Sequence, residues 1–254
     1  MNGRNRPLAA ATDLVLLRGD HLAVDRSSFT IPAGALTAII GPNGSGKSTL
    51  LHAFAGLITP AGGTLELLGP DGGAPRISYV LQRVDLPVGV PLSVRETVGM
   101  GRYGSLGWWR RFRGEDRERV AWAMAELDVT HLARRHLTEL SGGQRQRVHV
   151  AQGIAQDHDV LLLDEPLTGL DLVSAQTIDR IVHAERHAVI LTTHDLDEAR
   201  AADHVILMSG RVVASGPPAE ALTRGNLEVA YRLGALHEGA DLFVDDPGGH
   251  LAPD

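Results

Sequence analysis

The sequence predicts an α/β fold built on a mixed, largely parallel sheet, with an antiparallel β region at the N-terminal end and a helical insert midway. Three observations predict it. Short apolar runs at 36–40, 160–163 and 189–191 alternate with stretches of helical spacing, the signature of buried parallel strands and their crossover helices. Residues 8–35 instead alternate apolar and polar, broken by Arg18-Gly19-Asp20 and Pro32-Ala33-Gly34, as antiparallel strands joined by turns do. Residues 84–147 differ from both and carry helix-like periodicity between two parts of the sheet.

Length and composition narrow the function classes. A chain of 254 residues can bury a full core, and residues 1–237 are read as one domain with 238–254 as an acidic, Gly- and Pro-containing tail. With 24 Lys and Arg against 31 Asp and Glu, the net charge of −7 argues against coating nucleic acid or anionic lipid. The absence of cysteine removes disulfides and thiolate metal sites. No apolar run approaches the ~18 residues of a membrane span, and the first residues lack the apolar segment of a signal peptide. A soluble chain that stays where it is made is expected.

The first element pairs are the strands of 8–35. Leu36-Thr37-Ala38-Ile39-Ile40 then leads into Gly41-Pro42-Asn43-Gly44-Ser45-Gly46-Lys47-Ser48-Thr49, which has the G-x-x-x-x-G-K-S spacing of a phosphate-binding P-loop. Leu50, Leu51 and Phe54 continue it as a helix. A strand, a glycine-rich turn and a helix start aim backbone N–H groups and the positive end of the helix dipole into one concavity, which suits an anion. Lys47 reaches the β- and γ-phosphates of a nucleoside triphosphate, and the Ser48 hydroxyl suits Mg²⁺.

Strands are expected at 65–68 and 77–80, the latter ending near Gln82. Helices are expected at 115–127, 130–136 and 148–155. Leu140-Ser141-Gly142-Gly143-Gln144, two glycines and a serine at a helix start, is a second anion nest, and suggests action on another subunit's nucleotide. Val160-Leu161-Leu162-Leu163-Asp164-Glu165 sets two carboxylates at a strand end, where α/β sheets bind ligands. Asp164 suits the Mg²⁺ held by Ser48, and Glu165 suits a general base acting on water in line with the γ-phosphate. A helix around 174–185, a strand at 189–191, a hairpin at 205–213 and a helix opened by Pro218 complete the pattern.

On these motifs the chain resembles the ATP-binding subunit of an ABC transporter over about residues 12–235. It carries the Walker A loop, a Q-loop glutamine (Gln82), the signature Leu140 to Gln144, and Walker B (Val160 to Glu165). A D-loop (Gly169-Leu170-Asp171) and a switch histidine (His194) follow in order. The resemblance implies the ABC ATPase fold: a P-loop NTPase core, an N-terminal antiparallel β subdomain and an α-helical signature subdomain. It implies ATP and Mg²⁺ as ligands, with Gln82 joining Ser48 and Asp164 at the metal and His194 at the γ-phosphate. It further implies a head-to-tail dimer in which Ser141, Gly142, Gly143, Gln144 and Asp171 complete the partner's site. A membrane permease and, indirectly, an extracellular binding protein are the implied partners, with no nucleic acid. Location is then cytoplasmic, peripheral on the inner membrane face through the permease.

The family usually stacks an aromatic residue on adenine, where this chain has Arg18, with His21 the nearest ring. The Arg18 plane suits stacking on the base, and Arg18 suits a solvated turn equally well. Residues 101–111, with Gly101-Arg102-Tyr103 and Gly107-Trp108-Trp109-Arg110-Arg111, resemble the zinc, manganese and iron uptake branch. Trp108 and Trp109 suit either helix packing or a permease contact beside a cleft bordered by 84–98. The expected function is the ATPase engine of a zinc or manganese importer. A ferric-siderophore or cobalamin importer and a soluble ABC ATPase are the alternatives. The tail, with His237, Glu238, Asp241, Asp245, Asp246 and His250, offers weak metal ligands or a solvated end.

Overall fold

The computed structural model describes residues 7–81, 92–106, 112–185 and 187–231. Gln82, most of the cleft expected at 84–98, Trp108, Trp109, Arg110, Arg111 and the tail lie outside the described residues.

Among the described residues, nine strands form two sheets. Strands β1 (Pro7–Arg18), β2 (His21–Pro32) and β4 (Gly62–Leu67) make the antiparallel sheet in the order β2-β1-β4. The larger sheet runs β5 (Ile77–Val80), β6 (Val160–Asp164), β7 (Ala188–Thr193), β3 (Leu36–Ile40), β8 (His204–Met208) and β9 (Val212–Gly216). All its pairings are parallel except β8 with β9. Strands β3, β6, β7 and β8 are buried at every position, which is why they read as unbroken apolar runs.

Period-two alternation divides these strands between two cores. Ile39, Leu162, Ile190 and Ile206 pack with Leu14, Leu16, Ile31 and Phe54 against the antiparallel sheet and helix α1 (Lys47–Phe54). Ala38, Ile40, Leu161, Leu163 and Leu191 face the opposite way, toward the helical insert.

The insert contains α2 (Val94–Leu106), α3 (Gly114–Glu126) and α4 (Gly142–Ala155). Val120, Ala123, Met124, Val148, Ala151 and Ile154 recur at helical spacing and supply its buried stripe. The helix expected at 148–155 starts earlier, at Gly142, because Ser141 caps it. The helix expected at 130–136 is only one 3₁₀ turn, Thr130–Leu132, and a second, Leu137–Glu139, follows the expected span. Backbone bonds from Val94 and Arg95 to the Arg135 and Ala133 carbonyls hold the chain between them against the start of α2.

Arg102, part of the segment resembling metal-uptake relatives, is buried. Its guanidinium bridges Asp116 (3.0 Å), Asp157 (2.7 Å) and the Ala155 carbonyl (3.0 Å). It therefore ties α2 to α3 and to the end of α4. Paired burial of this kind makes removal of one partner costly, by about 3–5 kcal/mol. Beyond the insert, α5 (Leu172–Ala184), α6 (Leu196–Ala201), α7 (Pro218–Ala221) and α8 (Arg224–Tyr231) are the remaining described helices. Among the described residues, no helix is long and apolar enough to cross a membrane.

Candidate nucleotide site

The strand order sets the site. β3 ends at Ile40 beside Thr193 of β7, and Asp164 of β6 lies beside Thr192, so three chemistry-bearing segments meet at one sheet end. Parallel strands in register deliver their C-terminal loops together, and that end of the sheet is where ligands bind.

The P-loop curls from β3 into α1. Gly46, the N-cap of α1, has φ 96°, and a Cβ there would lie 2.5 Å from the Ala23 carbonyl oxygen. Only glycine fits, on both counts. Gly41 is packed equally closely, against the Met208 carbonyl. Because glycine is the cap, no side chain satisfies the first N–H groups of α1. The loop is fastened from outside by Gly210 N–H to the Ser45 carbonyl (3.1 Å).

Lys47 is 6% exposed, and its ammonium donates to the Gly41 (2.8 Å) and Pro42 (3.2 Å) carbonyls. Burial pushes its pKa down, while the Glu165 and Asp164 carboxylates pull it back up. Ser45 Oγ is buried with no hydrogen-bond partner among the described residues. A cleft of about 390 Å³ lies over this loop, lined by residues 43–49, Glu165, Ala23, Leu22, His21 and Arg18. An orphaned hydroxyl, an open helix start and a buried cation around one cleft fit phosphate oxygens.

Across the cleft, Ser48 Oγ donates to Asp164 Oδ1 at 3.2 Å. A hydroxyl beside a carboxylate is a hard oxygen donor set, which fits Mg²⁺. Thr192, which the sequence reading did not assign, orders this corner. Its hydroxyl donates to Asp164 Oδ1 (2.6 Å) and accepts from Glu165 N–H (2.8 Å). Its only sequence signal was a hydroxyl at the end of an apolar strand. Glu165 has φ 46°, a left-handed conformation that costs a non-glycine residue about 1–3 kcal/mol. That bend turns Glu165 toward the P-loop cleft, which it lines.

His194 is exposed and follows Thr193 directly, beside the end of β3. Gln82 lies outside the described residues; its strand ends at Val80, paired with Leu163 one step before Asp164. Arg18 and His21 pair across the β1–β2 turn, and both line the cleft mouth. The structure thus brings both candidates for the base together.

Ser141, Gly142, Gly143, Gln144 and Asp171 do not line this cleft. They meet one another instead. A Cβ on Gly143 would lie 2.5 Å from Asp171 Oδ2, and Asp171 caps α5 through Ser174 N–H (2.9 Å) and Ser174 Oγ (2.8 Å). Those two bonds hold the Asp171 carboxyl below its usual range. Ser141 caps α4 in a reciprocal box with Gln144. Leu172 and Val173 are exposed beside this group (72% and 64%).

A family model described as ABC transporter matches residues 24–168. The hemin import ATP-binding protein HmuV of Nocardia farcinica is 42% identical over 91% of this chain and 87% of its own. The zinc transport system ATP-binding protein TroB of Treponema pallidum is 38% identical, over 79% of this chain and 78% of its own. A solved structure of an ABC transporter in an inward-facing conformation superposes with a TM-score of 0.77 at 28% identity, covering 89% of each chain.

Proposed function

This chain belongs to the ABC transporter family, and from that premise we propose that it is the ATP-hydrolysing subunit of a membrane importer for a metal or metal chelate. The observation that carries the reading is the Ser48–Asp164–Thr192–Glu165 chain of contacts, which fixes two carboxylates against the phosphate loop.

In this reading the N–H groups at the start of α1 donate to the phosphate oxygens, and Lys47 places its charge against the β- and γ-phosphates. Ser48 and Asp164 would hold Mg²⁺, which when bound neutralises charge on those oxygens. Glu165 takes the proton from a water that attacks the γ-phosphorus, while the bond to the bridging oxygen breaks and ADP leaves. Thr192 acts as a positioning residue by orienting both carboxylate segments. His194, at the adjoining strand end, suits the γ-phosphate, and Gln82 suits the metal and the signal to the permease. Signature residues Ser141 to Gln144 and Asp171 complete the site of a second copy. The permease and an extracellular binding protein are separate chains, and the chain works at the inner membrane face.

Glu165→Gln keeps the side-chain size and removes the base. ATP binding persists and turnover falls by about 10²–10⁴-fold. Equal ATPase rates for Glu165→Gln and wild type would remove the general-base role. For cargo, zinc or manganese is supported by the 101–111 resemblance and the TroB likeness. A chelated cargo such as hemin is the second reading, supported by the likeness to HmuV at 42%. Transport by the reconstituted complex, with zinc, manganese and hemin offered separately, decides between them.

A further inference from the structure

At the opposite ends of the same two strands, His158, Glu185 and His187 bring their ligand atoms within 4.8 Å of one another. His158 precedes β6 and His187 precedes β7, whose first residues, Val160 and Ala188, pair in register. Asp164 and Thr192 pair at the far end of those strands. At about 3.3 Å per residue, His158 and Glu165 are roughly 20 Å apart along β6. The nucleotide chemistry makes no use of this group.

The His158 side chain is completely buried. Its Nδ1 lies 2.9 Å from the Gln156 carbonyl oxygen. A carbonyl can only accept, so Nδ1 carries the proton, and in the neutral ring Nε2 keeps its lone pair. That Nε2 has no hydrogen-bond partner among the described residues and lies 3.8 Å from Glu185 Oε2. In that tautomer the Nε2 lone pair is directed at the Glu185 carboxylate, which also lies in the field of Arg119. On the other side His187 Nδ1 lies 2.9 Å from Glu185 Oε1, and the two imidazole rings stand 5.1 Å apart. Asp159, next in sequence, is engaged by Arg76 at 2.7 Å and is not a ligand.

We infer that His158, Glu185 and His187 form a binding site for a divalent transition cation of the zinc class. Two imidazoles and a carboxylate are a borderline-soft donor set, which zinc takes in tetrahedral sites with one position left for water. Bonds of about 2.0–2.1 Å put tetrahedral donors about 3.3 Å apart, so the three groups need draw in by at most about 1.5 Å. The Gln156 carbonyl serves as the outer partner that orients a ligating histidine and fixes its tautomer. A bound cation would clamp the leading ends of β6 and β7, whose far ends carry Asp164, Glu165, Thr192 and His194. The site depends neither on which cargo is imported nor on hydrolysis. The competing occupant is a proton on His158 Nε2, which would leave only an ion pair.

The test uses the untagged full chain, stripped with a chelator and titrated with zinc against a chromophoric competitor. His187→Ala is the informative variant, because its side chain is 44% exposed and its loss opens no buried cavity. It also leaves the tail histidines in place. Zinc should bind wild type at least about tenfold more tightly than His187→Ala or Glu185→Gln, and raise the Tm of wild type alone. ATP binding should be equal in all three. X-ray absorption of the zinc-loaded wild type should show two imidazole ligands. Equal zinc affinity and Tm shift in wild type and His187→Ala, or no zinc bound by wild type, would overturn the site.

Discussion

The two glycine-rich helix starts of this chain read alike in sequence and are built oppositely. At α1 the cap is Gly46, which offers the first N–H groups no side-chain acceptor, and residues 46–49 line the cleft. At α4 the cap is Ser141, whose Oγ accepts from Gln144 N–H (3.2 Å) while Gln144 Oε1 accepts from Ser141 N–H (3.1 Å). The first start is open to an anion from within the chain. The second is partly satisfied by its own side chains, yet a hydroxyl that accepts one bond still has a proton to donate. A helix start that closes its own box needs no ligand to fold. In the proposed sharing of one site between two copies, such a start would stand ready on the surface until a second copy brought a phosphate to it.

The comparison can be broken at either end. The largest effect is expected from Gly46→Ala, which forces a side chain into a left-handed bend and against the Ala23 carbonyl. ATP affinity should fall at least about 100-fold, measured by calorimetry. Gly142→Ala is the matching change at the other helix, where a Cβ meets nothing within 4 Å in this chain. Stability and ATP binding by the isolated chain should be unchanged, while turnover in the assembled complex falls about tenfold. A normal turnover for Gly142→Ala would mean that no second copy packs there. The smallest effect is on stability. Ser141→Ala should cost about 1 kcal/mol in denaturant unfolding, the usual value of a lost cap.

What sequence made legible follows from how local each signal is. The P-loop and the Asp164-Glu165 pair announce themselves because strand, turn and helix lie within a few adjacent residues. The capping box of α4 was also present, as Ser141-x-x-Gln144, but the segment reads equally well as a phosphate nest. Thr192 was not legible as a site residue. Its two hydrogen bonds join segments 27 and 28 positions away, and nothing in its own neighbourhood marks them. Arg102 shows the same limit: its partners Asp116 and Asp157 lie 14 and 55 positions distant, so a buried rivet reads as part of a family motif. The 3₁₀ turns at 130–139 took their shape from pairing with the start of α2, a contact that local periodicity does not encode.

The central claim is that the open helix start of one copy and the self-capped start of another make one working site. Mixing Lys47→Ala chains with Ser141→Arg chains tests it directly. Each homodimer carries two damaged sites, whereas the heterodimer carries one doubly damaged site and one intact site. The account predicts that the mixture recovers turnover that neither variant has alone. Heterodimers that form, shown by native mass spectrometry, but recover no turnover would contradict it.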